Sequence, residues 1–206
     1  MQSDPVENPV KRRALPIVLL CLLPGSGTAD NFSPDTSGIL RLVGRFSFAH
    51  ACPVSADTAL TNAHVLDSRP FDRQAPLLPS MWSDGQGRVG ILLPDHTNMD
   101  RDIAVARGEF PQFYKIGKRP IPGDRVWFIG YNLSGKRILE TKLISSKVER
   151  VVAGHVVYSP GGQPGSSGSC VLNEQGEVVA INAFTVDEGQ AGLGVGVWPE
   201  VFEARR

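Results

Sequence analysis

The sequence has no excess of charge of either sign and no internal repeats. Its 206 residues contain 21 lysines and arginines and 21 aspartates and glutamates. This balance gives no overall field that would favour nucleic acid or an anionic membrane surface as a partner. After residue 29 no apolar run is long enough for a transmembrane helix, and no Pro- or Ser-rich linker divides the chain. We therefore expect one compact domain that binds neither nucleic acid nor membrane.

Cysteine is also scarce, since the chain has only Cys21, Cys52 and Cys170. None of them lies in C-x-x-C or metal-ligand spacing, so we expect no metal site and no cofactor. Cys21 is disfavoured as a lipoprotein site because the bulky Leu20 precedes it. Cys52 and Cys170 either form a disulfide or are two buried free thiols, because both fates are common for cysteine.

The first 29 residues have the pattern of a secretory signal peptide. Basic residues 11–13 precede the apolar run 14–23, which is too short to span a bilayer, and small or helix-breaking residues follow up to Ala29. The alternatives are a buried N-terminal helix and an uncleaved anchor. We predict that residues 1–29 are removed and that residues 30–206 form a secreted or periplasmic domain.

The rest of the chain consists mainly of short β-rich runs separated by glycine and proline. The runs span residues 40–48, 58–63, 89–93, 102–106, 125–129, 138–144, 147–152, 156–158, 169–172, 178–183 and 193–197. Only residues 199–206 suggest a helix, and a short one. This pattern predicts an all-β sandwich or barrel, with two halves around a cleft.

Three residues have local contexts suited to nucleophilic catalysis. A serine hydroxyl needs an adjacent imidazole to take its proton and a carboxylate to orient that imidazole. Ser167 lies among glycines, His64 follows a predicted strand, and Asp102 begins the apolar run Asp-Ile-Ala-Val-Ala. We predict that Ser167 is the nucleophile, His64 the general base and Asp102 the orienting carboxylate. Asp100 is the competitor for the last role, but its polar surroundings favour a solvated charge.

The glycines around Ser167 also suggest an oxyanion site. They allow a tight turn whose amides point at a substrate oxygen, and the backbone N–H groups of Gly165 and Ser167 are the candidate donors. By itself a Gly/Ser segment is also typical of a plain turn. The other histidines, His50, His96 and His155, have no motif around them, so we expect them to be packed or surface residues.

These segments together resemble the trypsin-like (chymotrypsin-fold) serine proteases, specifically their bacterial HtrA-like and glutamyl-endopeptidase-like branches. The resemblance includes the order His, Asp, Ser along the chain. It extends to four segments, which are Ala59 to Val65, Ile121 to Tyr131, Gly176 to Asn182 and Gly194 to Val197. It covers nearly all of residues 38–200.

The resemblance implies a fold, an activity and a specificity pocket. The fold is all-β, with two six-stranded antiparallel β-barrels and the active site in the cleft between them. Cys52 and Cys170 would approach one another beneath the site, which favours a disulfide. The pocket would be lined by Asn182, Ala183 and Phe184. No aspartate lies at its expected floor, so we predict a small or medium uncharged residue before the scissile bond.

The sequence departs from the family pattern in three places. Ser166 replaces the aspartate that pairs with a newly cut N-terminus in animal trypsins, so activity should need only signal removal and folding. Asn182 replaces the histidine with which glutamyl endopeptidases read a substrate carboxylate, so a preference for glutamate is not expected. The chain ends at Arg206, and we expect no PDZ domain and no peptide-gated oligomeric regulation.

The leading hypothesis is a serine endopeptidase with polypeptide substrates. The alternative from another class is a catalytically silent binding protein that recognises peptides by β-pairing in the cleft. An esterase is a minor third option, because the same three residues cleave esters. The sequence makes no prediction of the oligomeric state.

Overall fold

The computed structural model describes residues 33–43, 48–66, 79–134, 137–186 and 192–198, without the side chains of 43, 131–134 and 137–140. The predicted signal peptide, residues 1–29, and the predicted short helix, residues 199–206, lie outside the described residues.

The first half of the chain forms a closed antiparallel barrel. Its six strands are β1 (Leu40–Val43), β2 (Phe48–Pro53), β3 (Thr58–Thr61), β4 (Ser80–Ser83), β5 (Val89–Asn98) and β6 (Ile103–Arg107). They follow the order β1-β2-β3-β6-β5-β4. β1 closes the barrel because it pairs with β2 on one side and with β4 on the other.

The second half forms another closed barrel. Its strands are β7 (Arg125–Ser134), β8 (Arg137–Val152), β9 (His155–Ser159), β10 (Cys170–Leu172), β11 (Val178–Val186) and β12 (Leu193–Val197). Their order is β10-β11-β12-β9-β8-β7, and all strand pairs within it are antiparallel. The prediction of two six-stranded antiparallel barrels is confirmed.

Two short helices connect strands of the first barrel. The helix α1 (Ala63–Leu66) follows β3, and the 3-10 helix Met99–Arg101 lies between β5 and β6. Neither these nor any other helix in the described ranges is long and apolar enough to cross a membrane. Both helices adjoin predicted site residues, since α1 contains His64 and the 3-10 helix directly precedes Asp102.

The alternation of side chains along β2 explains how the two barrels meet. Ala49 and Ala51 point into the apolar interior of the first barrel. Cys52 belongs instead to a cluster that it shares with second-barrel residues such as Leu172 and Ile181. Because side chains alternate between the two faces of a strand, the small and apolar sequence of β2 is buried on both sides. β2 therefore lies at the junction of the barrels.

A disulfide crosses this junction. Cys52 of β2 and Cys170 of β10 are bonded, with their Cα atoms 5.0 Å apart and a sequence separation of 118. Both cysteines are fully buried. The bond ties the strand that leads towards His64 to the strand that follows Ser167.

Candidate active site

His64 and Asp102 form the best-defined contact of the site. The imidazole Nδ1 lies 2.9 Å from Oδ1 and 2.8 Å from Oδ2 of Asp102. The backbone N–H of His64 donates a further hydrogen bond to Oδ1 at 3.0 Å. Since Nδ1 faces a carboxylate, it carries the ring proton, and Nε2 is left as an acceptor. The carboxylate thereby selects the tautomer that a general base requires.

The backbone of Asp102 explains why its side chain reaches His64. Asp102 ends the 3-10 helix in a left-handed conformation, with φ 50° and ψ 50°, which is uncommon for a residue other than glycine. Its N–H donates to the Met99 carbonyl oxygen at 3.2 Å. Asp100, the predicted competitor, is an exposed residue of the 3-10 helix. The structure thus places Asp102, and not Asp100, against the imidazole.

Asn62 is a site residue for which the sequence suggested no role. It is fully buried, and its Nδ2 donates to the carbonyl oxygen of Asp102 at 2.9 Å. The amide therefore fixes the strained backbone whose carboxylate holds His64. Its position two residues before His64 was the available signal, but a short polar residue there is also typical of an ordinary helix start.

The loop between β9 and β10 carries Ser167 and includes a tight turn. The N–H of Ser166 donates to the carbonyl oxygen of Gln163 at 3.0 Å, and Gly165 between them has φ 93°. With Pro164 at the second position and a positive-φ glycine at the third, these are the features of a type II β-turn. Among the described residues, neither Gly165 nor Ser167 donates its N–H to a backbone hydrogen bond. Both amides are thus free of backbone acceptors.

Ser167 is anchored to the first barrel through its backbone. Its carbonyl oxygen accepts the N–H of His50 at 2.8 Å, and its side chain is half-buried. The hydroxyl donates to the carbonyl oxygen of Ala183 at 3.2 Å. The described residues contain no hydrogen bond between this hydroxyl and His64. The structure therefore pairs His64 with Asp102 and leaves Ser167 oriented towards β11.

The turn before Ser167 rests on a buried group of polar side chains. Ser166 Oγ donates to the Gln163 carbonyl oxygen at 2.6 Å and accepts Nδ2 of Asn182 at 3.1 Å. The Tyr158 hydroxyl in turn donates to Oδ1 of Asn182. The three side chains belong to residues that are no more than 2% exposed. They connect β9 and β11 to the turn.

The three predicted pocket residues lie in β11 with different exposures. Asn182 and Ala183 are buried, while Phe184 is 48% exposed. Close by, Thr185 Oγ1 donates to the carbonyl oxygen of Gly162 at 2.6 Å, so β11 and the loop that begins after β9 are joined directly. The amide of Asn182 has both its polar atoms bonded inside the protein.

His50 is a buried titratable group beside the loop of Ser167. Burial lowers its pKa from 6.5 to about 3, a hydrogen bond to the backbone of Gly165 opposes this, and the charge of Arg41 adds to the lowering. Its backbone carbonyl oxygen accepts Thr61 Oγ1 at 2.6 Å. His50 is therefore neutral at ordinary pH and lies where both barrels meet the loop. Its full burial agrees with the prediction of a packed or surface residue.

In the described ranges, no group of three or more histidine, cysteine, aspartate or glutamate side chains is placed to hold a metal ion. The groups that do lie at the site are an imidazole, a carboxylate and a hydroxyl beside two amides that have no backbone acceptor in the described ranges. Together they suit proton transfer and nucleophilic attack.

Comparison with known families gives one match that covers most of the chain. The family described as a trypsin-like peptidase domain matches residues 44–181. Among curated proteins, Protease Do-like 2, chloroplastic, from Arabidopsis thaliana is 29% identical over 150 residues, or 66% of this chain. The matched region is only 23% of that relative's length.

Solved structures agree with the architecture. A serine endoprotease from Yersinia pestis superposes with a TM-score of 0.68 at 17% identity, covering 82% of this chain and 61% of that one. An HtrA-type protease, AlgW with tripeptide, superposes with a TM-score of 0.64 at 19% identity, covering 82% of this chain and 58% of that one. At such identities the likeness is one of fold.

Proposed function

Because the chain belongs to the trypsin-like peptidase family, we propose that it is a serine endopeptidase in which Ser167, His64 and Asp102 carry out the reaction. The observation that carries this proposal is the contact of His64 Nδ1 with both carboxylate oxygens of Asp102, at 2.9 and 2.8 Å. This contact leaves Nε2 available to accept a proton. No other imidazole in the described residues has this arrangement.

The reaction begins when the Ser167 hydroxyl turns from the Ala183 carbonyl oxygen towards Nε2 of His64. His64 takes the hydroxyl proton as Oγ attacks the carbonyl carbon of the substrate. Asp102 stabilises the resulting imidazolium without taking its proton. The starting hydrogen bond to Ala183 is long, at 3.2 Å. It is therefore weak, and breaking it when the hydroxyl rotates costs little free energy.

The negative oxygen that forms is held by the backbone N–H groups of Gly165 and Ser167, for which the structure shows no backbone acceptor. His64 then donates its proton to the amine as the peptide C–N bond breaks, which leaves an acyl group on Ser167. Water, deprotonated by His64, attacks this ester, and His64 returns the proton to Ser167 Oγ as the bond to the acyl group breaks and the second product leaves. One such amide donor contributes a factor of about 10² to 10³ in rate.

We propose a small or medium uncharged residue before the scissile bond. The hydrogen bond from Thr185 Oγ1 to the Gly162 carbonyl oxygen joins the two segments between which that side chain would enter, and so limits the space. Ala183 and Phe184 form part of the wall, and Asn182 lies behind it. A peptide library in which lysine, arginine or glutamate was strongly preferred would contradict this assignment.

We also propose that the enzyme works outside the cytoplasm, either secreted or in the periplasm. The disulfide between Cys52 and Cys170 is typical of oxidising compartments. The signal peptide predicted for residues 1–29 agrees with this location.

A silent peptide-binding protein remains the competing function, and one observation favours it. The Ser167 hydroxyl is bonded to Ala183 and not to His64. In an active enzyme this bond yields when substrate arrives, as catalytic hydrogen bonds commonly tighten only in the complex. In a silent protein it would persist.

The deciding experiment is treatment of the purified protein with a fluorophosphonate probe, followed by mass spectrometry and peptide mapping. We expect one adduct, on Ser167, which is lost in His64→Ala and in Ser167→Ala. A folded protein without an adduct would support the silent binding protein instead. Cleavage of a mixed peptide library by the same preparation then gives the substrate preference.

A further inference from the structure

The hydrogen bonds among Tyr158, Asn182 and Ser166 can run in only one direction. The Tyr158 hydroxyl donates to Oδ1 of Asn182, so the Nδ2 end of the same amide faces Ser166. Ser166 Oγ accepts that N–H, and its own proton goes to the carbonyl oxygen of Gln163. An amide has distinct donor and acceptor ends. Because the Gln163 carbonyl oxygen can only accept, it fixes the direction of the bonds, and Tyr158 supplies the donor that Oδ1 of Asn182 then requires.

The environment keeps Tyr158 a donor. The residue is fully buried, and burial raises the pKa of its hydroxyl well above the usual range. Its ring packs against Phe128 with centroids 5.2 Å apart. A Cβ on Gly194 would overlap the same ring, and a Cβ on Gly162 would overlap Ser166 Oγ. We call the hydrogen-bonded side chains of Tyr158, Asn182 and Ser166 the relay. The backbone of Gly194 bounds it next to Tyr158, and the backbone of Gly162 bounds it next to Ser166.

The end of the relay acts on the turn that presents Gly165. The Gln163 carbonyl oxygen accepts two hydrogen bonds, from Ser166 Oγ at 2.6 Å and from the Ser166 N–H at 3.0 Å. Type I and type II turns of the same four residues differ by a flip of the central peptide, here Pro164 to Gly165. The flip would replace the Gly165 N–H by a carbonyl oxygen on the same side. Both turn types keep the bond to the first carbonyl oxygen, so these side chains act by fixing Gln163 and Ser166, the residues on either side of the Pro164–Gly165 peptide, while Gly165 has the positive φ of 93° that type II requires.

We propose that Tyr158 and Asn182 are positioning residues that act through Ser166 to hold the Gly165 N–H in the orientation needed by the oxyanion. This deepens the proposed peptidase function and rests on it. The relay is built entirely from uncharged groups contributed by β9, β11 and the turn.

The test is the substitution Tyr158→Phe, which removes one hydroxyl and keeps the ring. Oδ1 of Asn182 then loses the hydroxyl that donates to it, and the amide is free to turn over. Its Oδ1 would compete for the Ser166 proton, and the Gln163 carbonyl oxygen would lose a bond. Ser166→Ala removes the last link by a different route. It serves as the second variant if Tyr158→Phe does not fold.

The matched control is Tyr114→Phe. Tyr114 is also a buried tyrosine, and its hydroxyl accepts the N–H of Gly38, in the first half of the chain, at 3.1 Å. Both substitutions leave a buried polar group unpaired, so both lower the melting temperature. Only the relay variants should alter catalysis.

Two activity measurements separate positioning from general destabilisation. We expect Tyr158→Phe and Ser166→Ala to lower kcat by about tenfold or more, with KM changed by less than about twofold, because the lost interaction acts in the transition state. Affinity for a peptide aldehyde, whose adduct carries the oxyanion, should fall by a similar factor. Tyr114→Phe should leave both quantities unchanged at a temperature where it is folded.

The outcomes separate the two proposals. If the wild type reacts with the phosphonate and cleaves peptides, but the folded relay variants keep wild-type kcat and aldehyde affinity, the relay proposal is wrong and the peptidase stands. If Tyr114→Phe lowers kcat as much as the relay variants do, the effect is general instability and the relay proposal again fails. If the wild type neither reacts nor cleaves, both proposals fall.

Discussion

At the scale of single residues, Asp102 combines an unusual backbone with a demanding side-chain position. Its left-handed φ of 50° is held by the Met99 carbonyl oxygen and by Asn62. The carboxylate can then meet His64 from a backbone that few residues other than glycine, asparagine and aspartate adopt readily. Asparagine is therefore a substitution that preserves the conformation and removes the charge.

We expect Asp102→Asn to fold normally and to lower kcat by about 10⁴, because the asparagine amide favours the wrong imidazole tautomer. Steady-state kinetics on a peptide substrate, with circular dichroism to verify folding, make the measurement. Asp100→Asn is the matched control and should retain full activity. A large loss in the Asp100 variant and none in the Asp102 variant would refute the assignment.

Gly168 illustrates how closely the first barrel approaches the loop of Ser167. A Cβ there would overlap the carbonyl oxygen of His50 and the hydroxyl of Thr61, and the residue has φ 80°. Gly176 has a similar φ, 72°, but open space around its Cβ position. An alanine at position 176 would therefore meet backbone strain alone, whereas an alanine at position 168 would meet both backbone strain and steric overlap.

Gly176→Ala should cost about 1 to 2 kcal/mol, the usual penalty of a left-handed alanine. Gly168→Ala should cost more than about 3 kcal/mol, since β2 must also move, and should lose activity. Urea denaturation of both variants gives the free energies of unfolding. Equal costs would mean that the contact with His50 relaxes easily.

His50 should make the stability depend on pH in a defined direction. The unfolded chain binds a proton at this residue below its ordinary pKa of 6.5, but the folded protein does so only at about 3. The free energy of unfolding therefore decreases as pH falls from 6.5 towards 3, by at most about 1.4 kcal/mol per pH unit. Arg41, whose charge faces His50 across the pair β1 and β2, acts in the same sense.

Urea denaturation of the wild type and of His50→Asn between pH 7 and pH 4 tests this. Other titrating groups contribute alike to both proteins, so the difference between the two curves isolates His50. We expect the difference to shrink as pH falls. Parallel curves would show that His50 does not titrate upon unfolding in this range.

At the scale of elements, the disulfide between β2 and β10 replaces what would otherwise be a purely noncovalent junction. Its 118-residue separation corresponds to about 5 kcal/mol in the chain-entropy account of disulfide stabilisation. The double variant Cys52→Ala and Cys170→Ala should lose a large part of this in urea denaturation. The wild type unfolded under reducing conditions is the control with unchanged sequence, and it should show a similar loss.

The sequence predicted strands best where apolar runs are short and bounded by glycine or proline. β8 was predicted as two runs, 138–144 and 147–152, because Ser145 and Ser146 interrupt the pattern. The strand continues through them since both pair with β7, and Ser146 Oγ donates to the Pro160 carbonyl oxygen at 2.6 Å. The Ser146 hydroxyl thus finds its acceptor 14 residues further along the chain. The local sequence pattern does not reveal such a contact.

β4 and β5 differ from the prediction for related reasons. β4, Ser80–Ser83, was not predicted, because its only buried residue is Trp82. One buried apolar side chain cannot produce the alternation of apolar and polar residues that indicates a strand. β5 was expected to end at Leu93, before Pro94, but it continues to Asn98. A register shift between Pro94 and His96 accommodates the proline, as bulges commonly do.

The parts of the site that lie in short, characteristic sequence segments could be predicted from the sequence. His64, Asp102 and Ser167 each stand in a recognisable segment, and the structure brings the first two into contact. The parts that position them, Asn62 and the relay through Tyr158, depend on contacts between segments that are distant in sequence. From the sequence alone, Tyr158 in its β-rich run is expected to be an ordinary core residue. The structure shows that its hydroxyl donates to Asn182.

At the scale of the whole molecule, the apolar cluster between the barrels makes them a single folding unit. Ile39, Leu60 and Ile103 of the first half share this cluster with Leu172 and Ile181 of the second. Neither barrel can expose its side of the cluster without losing buried apolar surface. We therefore expect the barrels to unfold together.

The tryptophans are suitable reporters of this cooperativity. Trp82 lies in the first barrel, while Trp127 and Trp198 belong to the second half. Trp82→Phe leaves fluorescence from the second half alone, and the double variant Trp127→Phe and Trp198→Phe leaves Trp82. In each variant, fluorescence and circular dichroism should give one common urea midpoint. Separate midpoints would show that the barrels unfold independently.

The bond between Cys52 and Cys170 has a consequence for a protein exposed to proteolysis. It closes a covalent ring that contains His64, Asp102 and Ser167. A single nick anywhere inside this ring, made by any protease, cannot release a fragment. The clipped molecule would migrate as one species on a gel without reductant and as two with it. All three residues would stay tethered to one another after the cut.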